Sequence, residues 1–181
     1  ENVGPFISFC ATCDGEFYKD KDIFVIGGGN SAMEESLLLL QHVNSIRVIH
    51  QFDHLQAERE IGDKVKANPK VSFFWSHEPR EFIVEGDKIK VKLENLKTKE
   101  ILEELGDGIF IFVGMNPNAE LYQNTQVKLN KYNYIPVDER TLETNIPNIF
   151  AVGDIRDKRQ WQITTAVNDG TIAALEIVKR I

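Results

Sequence analysis

The chain has 181 residues, 42% hydrophobic and 27% charged, with a net charge of -7. That length holds one or two domains with a real core. The acidic balance argues against nucleic acid or an anionic membrane as partner, because phosphates need a basic surface. The longest apolar run, Leu37 to Leu40, is too short to span a bilayer, and no signal peptide is visible. The opening, ENVGPFISF, lacks an initiator Met and reads as a linker entering a domain, so the chain is expected to be a piece of something longer.

FCATCDGEFY follows, with Cys10 and Cys13, the two cysteines of the chain, and Asp14 directly after the second thiol. KDIFVIGGGNSAMEESLLLLQHV reads as a buried strand over 23–26, a glycine cluster, and a helix over about 30–42. SIRVIH reads as a strand over 46–50, which completes a right-handed βαβ unit with a parallel sheet. HLQAEREIGDKVKAN is helical and ends at Asn68-Pro69; VSFFW is a third strand at 71–75. The stretch from Arg80 to Leu105 alternates, with Gly86-Asp87 and Lys97-Thr98 as turns, and predicts an antiparallel meander. A strand over 108–114 closes the unit, and the boundary is placed at Gly114 to Pro117. Beyond it come short strands and turns, a strand in NIFAVGD running into Gly153-Asp154, and a last helix from about Gln162 to Lys179.

VIGGGNSA places Gly27, Gly29 and Ala32 in the G-x-G-x-x-G/A spacing between a strand and a helix. Gly27 permits the tight turn, Gly29 lets backbone approach a pyrophosphate, and Ala32 allows close helix packing. The diphosphate would sit on free N–H groups at the helix start. The alternative is a tight βα turn that holds nothing. The end of the second strand normally selects the nucleotide, by an acid for NAD or an arginine for NADP. Here it reads HQFDHLQAER; the first acid is Asp53 and the first arginine Arg59, so neither selector is in place.

The C-x-x-C pair has several readings. A structural zinc site needs four ligands, and His42, His50, His54 and His77 show no matching spacing, so no metal is expected. Haem attachment needs His after the second Cys, where Asp14 stands. The redox reading closes a small disulfide ring, with one thiol activated at a helix start. Two inert buried cysteines complete the set. For redox chemistry Asp14 would supply the proton that a departing thiolate needs, unless it only makes an Asx turn before Gly15.

CATCDG, GGGNSAMEE, GMNPN, TNIPNIFAVGD and WQITTAVNDGTIAAL fall in the order seen in the low-molecular-weight thioredoxin reductases, and the chain resembles that family from about Phe6 to its end. The resemblance implies an α/β fold in two parts. Residues 1–112 would be a Rossmann-like nicotinamide-type domain, with parallel sheet, antiparallel meander and the redox pair. Residues 113–181 would be the C-terminal portion of an FAD-binding Rossmann-like domain, whose N-terminal half, with its own G-x-G-x-x-G, is absent. The implied activity is a flavin-dependent reduction of a thioredoxin-like protein in the cytoplasm, by a homodimer in the full-length protein.

Carried over by motif, Cys13 would face the flavin, Cys10 would attack the substrate disulfide, and Asp14 would be the acid–base group. Gly27, Gly29, Asn30, Ser31, Ala32 and Glu35 match the nicotinamide-nucleotide loop. Gly114 and Pro117 match the crossover into the FAD domain. Gly153 and Asp154 match the second FAD motif, and Gln162 and Ile163 the start of a helix near the flavin ring. Trp161 stands where the family usually has Arg; it would stack on the ring or pack on the core. The first domain would rotate about linkers near Glu1 to Phe6 and Val113 to Pro117. NADPH-dependent members carry a run like H-R-R-D-x-x-R-A, and Gln51, Phe52 and Gln56 replace its arginines here. Neutral and apolar side chains cannot pair with a phosphate dianion. NADH or reduced ferredoxin therefore competes with NADPH as the implied electron donor. Two other readings are a non-catalytic fragment that only binds, and a peroxiredoxin-coupled flavoprotein reductase with an extra N-terminal region.

Overall fold

A computed structural model describes residues 4–181. The chain divides into one unit running up to Gly114 and a second, Met115–Ile181.

In the first unit, β1 (Ile7–Ser8), β2 (Asp22–Ile26), β3 (Ser45–His50), β4 (Val71–Trp75) and the later β8 (Gly108–Ile111) form a five-stranded sheet in the order β1-β8-β2-β3-β4. All its pairings are parallel. β5 (His77–Glu85), β6 (Lys88–Asn95) and β7 (Ile101–Gly106) form a separate three-stranded antiparallel sheet.

The sequence of β2, DIFVI, explains how the layers stack, because successive side chains of a strand face opposite ways. Ile23 and Val25 join a core with Met33, Leu39, Val48 and Phe110. On that face lie α2 (Asn30–Leu39) and α3 (Arg59–Lys66), with Leu37, Leu55 and Ile61 packed against the cluster. Phe24 and Ile26 face a second core containing Ile49, Ile109 and the β6 residues Ile89, Val91 and Leu93. Each of those fully buried β6 side chains contributes about 2 kcal/mol by leaving water. Lys88, Lys90 and Lys92 alternate outward on the same strand and pair with Asp107, Glu85 and Glu81. The meander is therefore the second cover of the parallel sheet.

Several boundaries differ from expectation, each for a visible reason. α2 stops at Leu39 rather than His42, where the Gln41 and His42 amides turn back onto the Leu38 and Leu39 carbonyls, each only three residues earlier. The helix expected from His54 begins only at Arg59. The preceding residues are pulled toward the glycine loop, Gln56 N–H by the Gly28 carbonyl at 2.8 Å and Glu58 N–H by Asn30 Oδ1 at 2.6 Å. β8 ends at Ile111, although Phe112 N–H still reaches the Ile26 carbonyl. Only Gly4 to Phe6 of the expected N-terminal linker lies within the described residues, as a short 3-10 turn.

The second unit carries turns, a 3-10 turn at Gly153–Ile155, and α4 (Ile163–Val178). The strand expected in NIFAVGD is reduced to one bridge, Phe150 to Glu143. A strand needs a neighbour along its length to take its backbone hydrogen bonds, and a single bridge does not supply that. α4 starts where expected: Gln162 is its N-cap, in a reciprocal capping box with Thr165.

Candidate active site

Cys10 and Cys13 are joined as a disulfide, with Cα atoms 5.3 Å apart. The pair follows β1 and brackets the start of α1 (Ala11–Asp14). Cys10 is the N-cap of this turn; its Sγ accepts from Cys13 N–H at 3.1 Å, and Asp14 N–H bonds the Cys10 carbonyl. Buried Ser8 holds the other side: its Oγ accepts from Cys10 N–H at 3.1 Å and donates to Asp14 Oδ2 at 2.7 Å. Cys13 is exposed and Cys10 half-buried. Phe9 and Phe17 flank the pair with 70% and 75% of their surface exposed.

Across β8 from β1, a cavity of about 510 Å³ opens at the end of β2. Gly27, Gly29, Asn30 and Ser31 line it, and Gly114 sits at its rim. Gly27 has φ +129, and a Cβ there would lie 2.3 Å from the Phe112 carbonyl oxygen and 3.3 Å from the Ala32 Cβ. Gly27 thus sits tightly between buried Ala32 and the backbone of Phe112. Gly29 has nothing within 4 Å of an added Cβ, so its backbone faces open space. Gly28, which the motif leaves unspecified, backs onto His50, whose ring a Cβ added there would meet at 2.5 Å. His50 is buried, and burial holds its pKa below the ordinary histidine value; its Nε2 has no partner.

Gln51, Gln56 and Glu78 also line the cavity, whereas no lysine or arginine does. Asp53 points to other partners. Its carboxylate is pulled down to about 2 by hydrogen bonds from His54 and Lys97.

Glu35 is not part of this cavity lining. Its Oε2 is buried without a hydrogen-bond partner among the described residues. Burial pushes its pKa up and the charge of Glu34 adds to the rise, while the backbone of Ala11 opposes it.

In the second unit, Asp154 and Trp161 line a hollow of about 400 Å³ with Pro117, Tyr122 and Tyr134. Trp161 tilts against Tyr134 at 5.4 Å between ring centres, and its Nε1 is buried without a partner. Gly153 takes a left-handed φ of +76 and gives its N–H to Asp169 Oδ2 at 3.1 Å. Ile163, on the first turn of α4, is almost fully exposed. Joined to the hollow through the Lys158–Asp154 pair is a cluster that sequence reasoning missed. Arg156 makes two bonds to buried Asp169, at 2.9 and 3.0 Å, and Lys158 reaches the same carboxylate at 3.2 Å. Burial alone would raise the Asp169 pKa, but these cations bring it below the usual carboxylate value. The available signal was an acid in the middle of the last helix, Asp169, and an Arg-x-Lys step directly after Gly153-Asp154-Ile155. Ser8 was also missed; its signal was a small polar residue two positions before the first cysteine.

Comparison with known proteins agrees with this arrangement. The chain is 42% identical over 178 residues to a 34.2 kDa protein of the rubredoxin operon of Clostridium pasteurianum, covering 98% of this chain and 57% of that protein. It is 42% identical over 177 residues to the thioredoxin reductase of Rickettsia felis, covering 96% of this chain and 56% of that enzyme. The crystal structure of thioredoxin reductase from Streptococcus pyogenes superposes with a TM-score of 0.86 at 39% identity, over 96% of this chain and 56% of that one. The chain thus spans a little over half the length of these relatives. Residues 1–170 match the family described as pyridine nucleotide-disulphide oxidoreductase, and the chain belongs to that family.

Proposed function

We propose that the chain is the disulfide- and nucleotide-bearing part of a flavin-dependent reductase that passes two electrons to a thioredoxin-like protein. The observation that carries this is the Cys10–Cys13 disulfide, exposed at Cys13, on the same sheet as the glycine-loop cavity with β8 between β1 and β2. Both follow the C-terminal ends of parallel strands, the sheet edge where α/β proteins bind ligands.

Reducing the disulfide takes up two electrons and two protons and leaves two thiols. Cys10, as thiolate, attacks one sulfur of the partner's disulfide and forms a mixed disulfide. Asp14 takes the Cys10 proton and returns it to the sulfur that leaves. Cys13 then attacks Cys10, closes the internal disulfide and frees the second partner thiol with the remaining proton. Ser8 holds Asp14 at this turn, and Phe9 and Phe17 offer apolar surface for docking.

FAD, when bound, supplies the two-electron link between a nicotinamide nucleotide and a disulfide. Residues of the second unit fit part of it. The Asp154 carboxylate, 65% exposed, is an acceptor for polyol hydroxyls, and the buried Trp161 Nε1 is a donor left without a partner.

The lining of the cavity of the first unit favours a dinucleotide without a 2′-phosphate. A 2′-phosphate needs a cation, and neutral Gln51 and Gln56 and acidic Glu78 line the cavity instead. NADH is expected to bind at least about tenfold tighter than NADPH, a difference of about 1.4 kcal/mol, in calorimetric titrations. Tighter binding of NADPH would reverse this assignment. The same lack of cations favours a second reading, in which reduced ferredoxin is the donor; it gains if neither nucleotide binds.

The central test needs no flavin. The chain is reduced with dithiothreitol, desalted without oxygen, and mixed with an oxidised thioredoxin. About one thioredoxin disulfide per chain is expected to be reduced while Cys10–Cys13 re-forms. No exchange, with a thioredoxin that dithiothreitol itself reduces, would overturn the proposal.

A further inference from the structure

We propose that Ser8 is a positioning residue for proton transfer at the redox pair: its buried hydroxyl partners the Asp14 carboxyl both when that group holds the Cys10 proton and when it has given it up. Ser8 is the last residue of β1, fixed opposite Phe110 of β8, and is 4% exposed. Three groups surround its Oγ: the Cys10 N–H donates to it at 3.1 Å, Asp14 Oδ2 lies 2.7 Å away, and the Cys10 carbonyl oxygen lies 3.3 Å away.

A serine that bonds the amide two residues on is a common local turn device. That accounts for the bond to Cys10, but not for the shorter one to Asp14, which crosses six residues. A hydroxyl has one proton to give and two lone pairs to fill. With Asp14 ionised, the proton goes to Oδ2, because a bond to a charged acceptor is the stronger. With Asp14 protonated, the acid O–H donates to Oγ, and the serine proton turns to the Cys10 carbonyl. The Cys10 N–H bond is kept in both arrangements. Ser8 thus holds the carboxyl in one place while its proton comes and goes. Alanine would supply neither the donor nor the acceptor.

This rests on the proposed function, in which Asp14 protonates the leaving sulfur. In that step the Cys10 thiolate forms a bond to one sulfur of a disulfide, the S–S bond breaks, and the departing sulfur takes the proton from Asp14. A basic aliphatic thiolate needs that proton; a leaving sulfur whose charge an aromatic ring stabilises does not.

The experiment times reoxidation of the dithiothreitol-reduced chain by two small neutral disulfides, hydroxyethyl disulfide and dithiodipyridine. Remaining thiols are alkylated and counted by mass. Both reagents meet the same nucleophile, so a change in Cys10 itself cancels in the ratio of the two rates. Ser8→Ala is expected to slow the reaction with hydroxyethyl disulfide about tenfold, and that with dithiodipyridine by no more than about twofold. Asp14→Asn is expected to show the same selectivity. Adding Ser8→Ala to it is expected to cost no more than about twofold further, because Ser8 works through Asp14. Equal slowing with both disulfides, no slowing, or full additivity overturns the proposal. If Ser8→Ala does not fold, Ser8→Thr decides. It keeps the hydroxyl, so an unaltered ratio supports the proposal and a ratio changed as far as in Asp14→Asn overturns it. Neither reagent is a protein, so failure to reduce thioredoxin would leave this result intact, and failure here would leave thioredoxin exchange standing.

Discussion

A reduced chain carrying Cys13→Ser accumulates a mixed disulfide with oxidised thioredoxin through Cys10, whereas a chain carrying Cys10→Ser accumulates none. Exposure alone argues the other way, since Cys13 is the more open of the two. Hydrogen bonding decides for Cys10. Its sulfur is the N-cap and accepts the Cys13 N–H at 3.1 Å, which favours the thiolate. Cys13 instead precedes Asp14, whose carboxylate opposes a second negative charge beside it. With Cys13 gone, nothing resolves the first adduct, so catalytic reduction falls to background in both variants. Non-reducing electrophoresis and mass spectrometry read the adduct. Trapping through Cys13 instead would exchange the roles of the two sulfurs.

Gly27→Ala destabilises the first unit by about 3 kcal/mol and removes nucleotide binding with it. Two effects add. The backbone φ of +129 is one that only glycine adopts without strain, and the new Cβ would overlap the Phe112 carbonyl at 2.3 Å. Neither obstacle is the movable end of a side chain, so relaxation must shift β8 against β2. Gly29→Ala is the contrast. With open space around it and an ordinary φ of -86, stability changes by less than about 1 kcal/mol, while nucleotide affinity falls because the Cβ enters the approach of the pyrophosphate. Urea unfolding and nucleotide titration of both variants check this. Equal loss of stability in the two would show that the loop is not divided in this way.

Much of the first unit was legible because its signals are local. The β2 apolar run, the glycine spacing and the alternation of β6 each act within a few residues, and each element lies where its pattern stands. What was not legible depends on pairs distant in sequence. Nothing near His54 reveals that Gln56 and Glu58 will be drawn away from a helix by Gly28 and Asn30. Glu35 illustrates the same limit at the site. Its place in the loop motif assigned it to the nucleotide, but one helical turn on from Ser31 it is not among the residues that line the cavity. Arg156, Lys158 and Asp169 were invisible as a group because charge pairing across 11 to 13 residues leaves no periodic trace.

The pairing of β1 with β8 has a bearing on how such a unit is inherited. Its first and last strands lie side by side, with Ile7 opposite Ile109, so the backbone enters and leaves within about 10 Å. Joining points that close costs little chain entropy. The unit is closed on itself, and a gene segment encoding it could be moved into a loop of an unrelated protein, or circularly permuted at the Gly86-Asp87 hairpin, without unpicking a single strand pair of its parallel sheet. Recombination can therefore handle it as one piece.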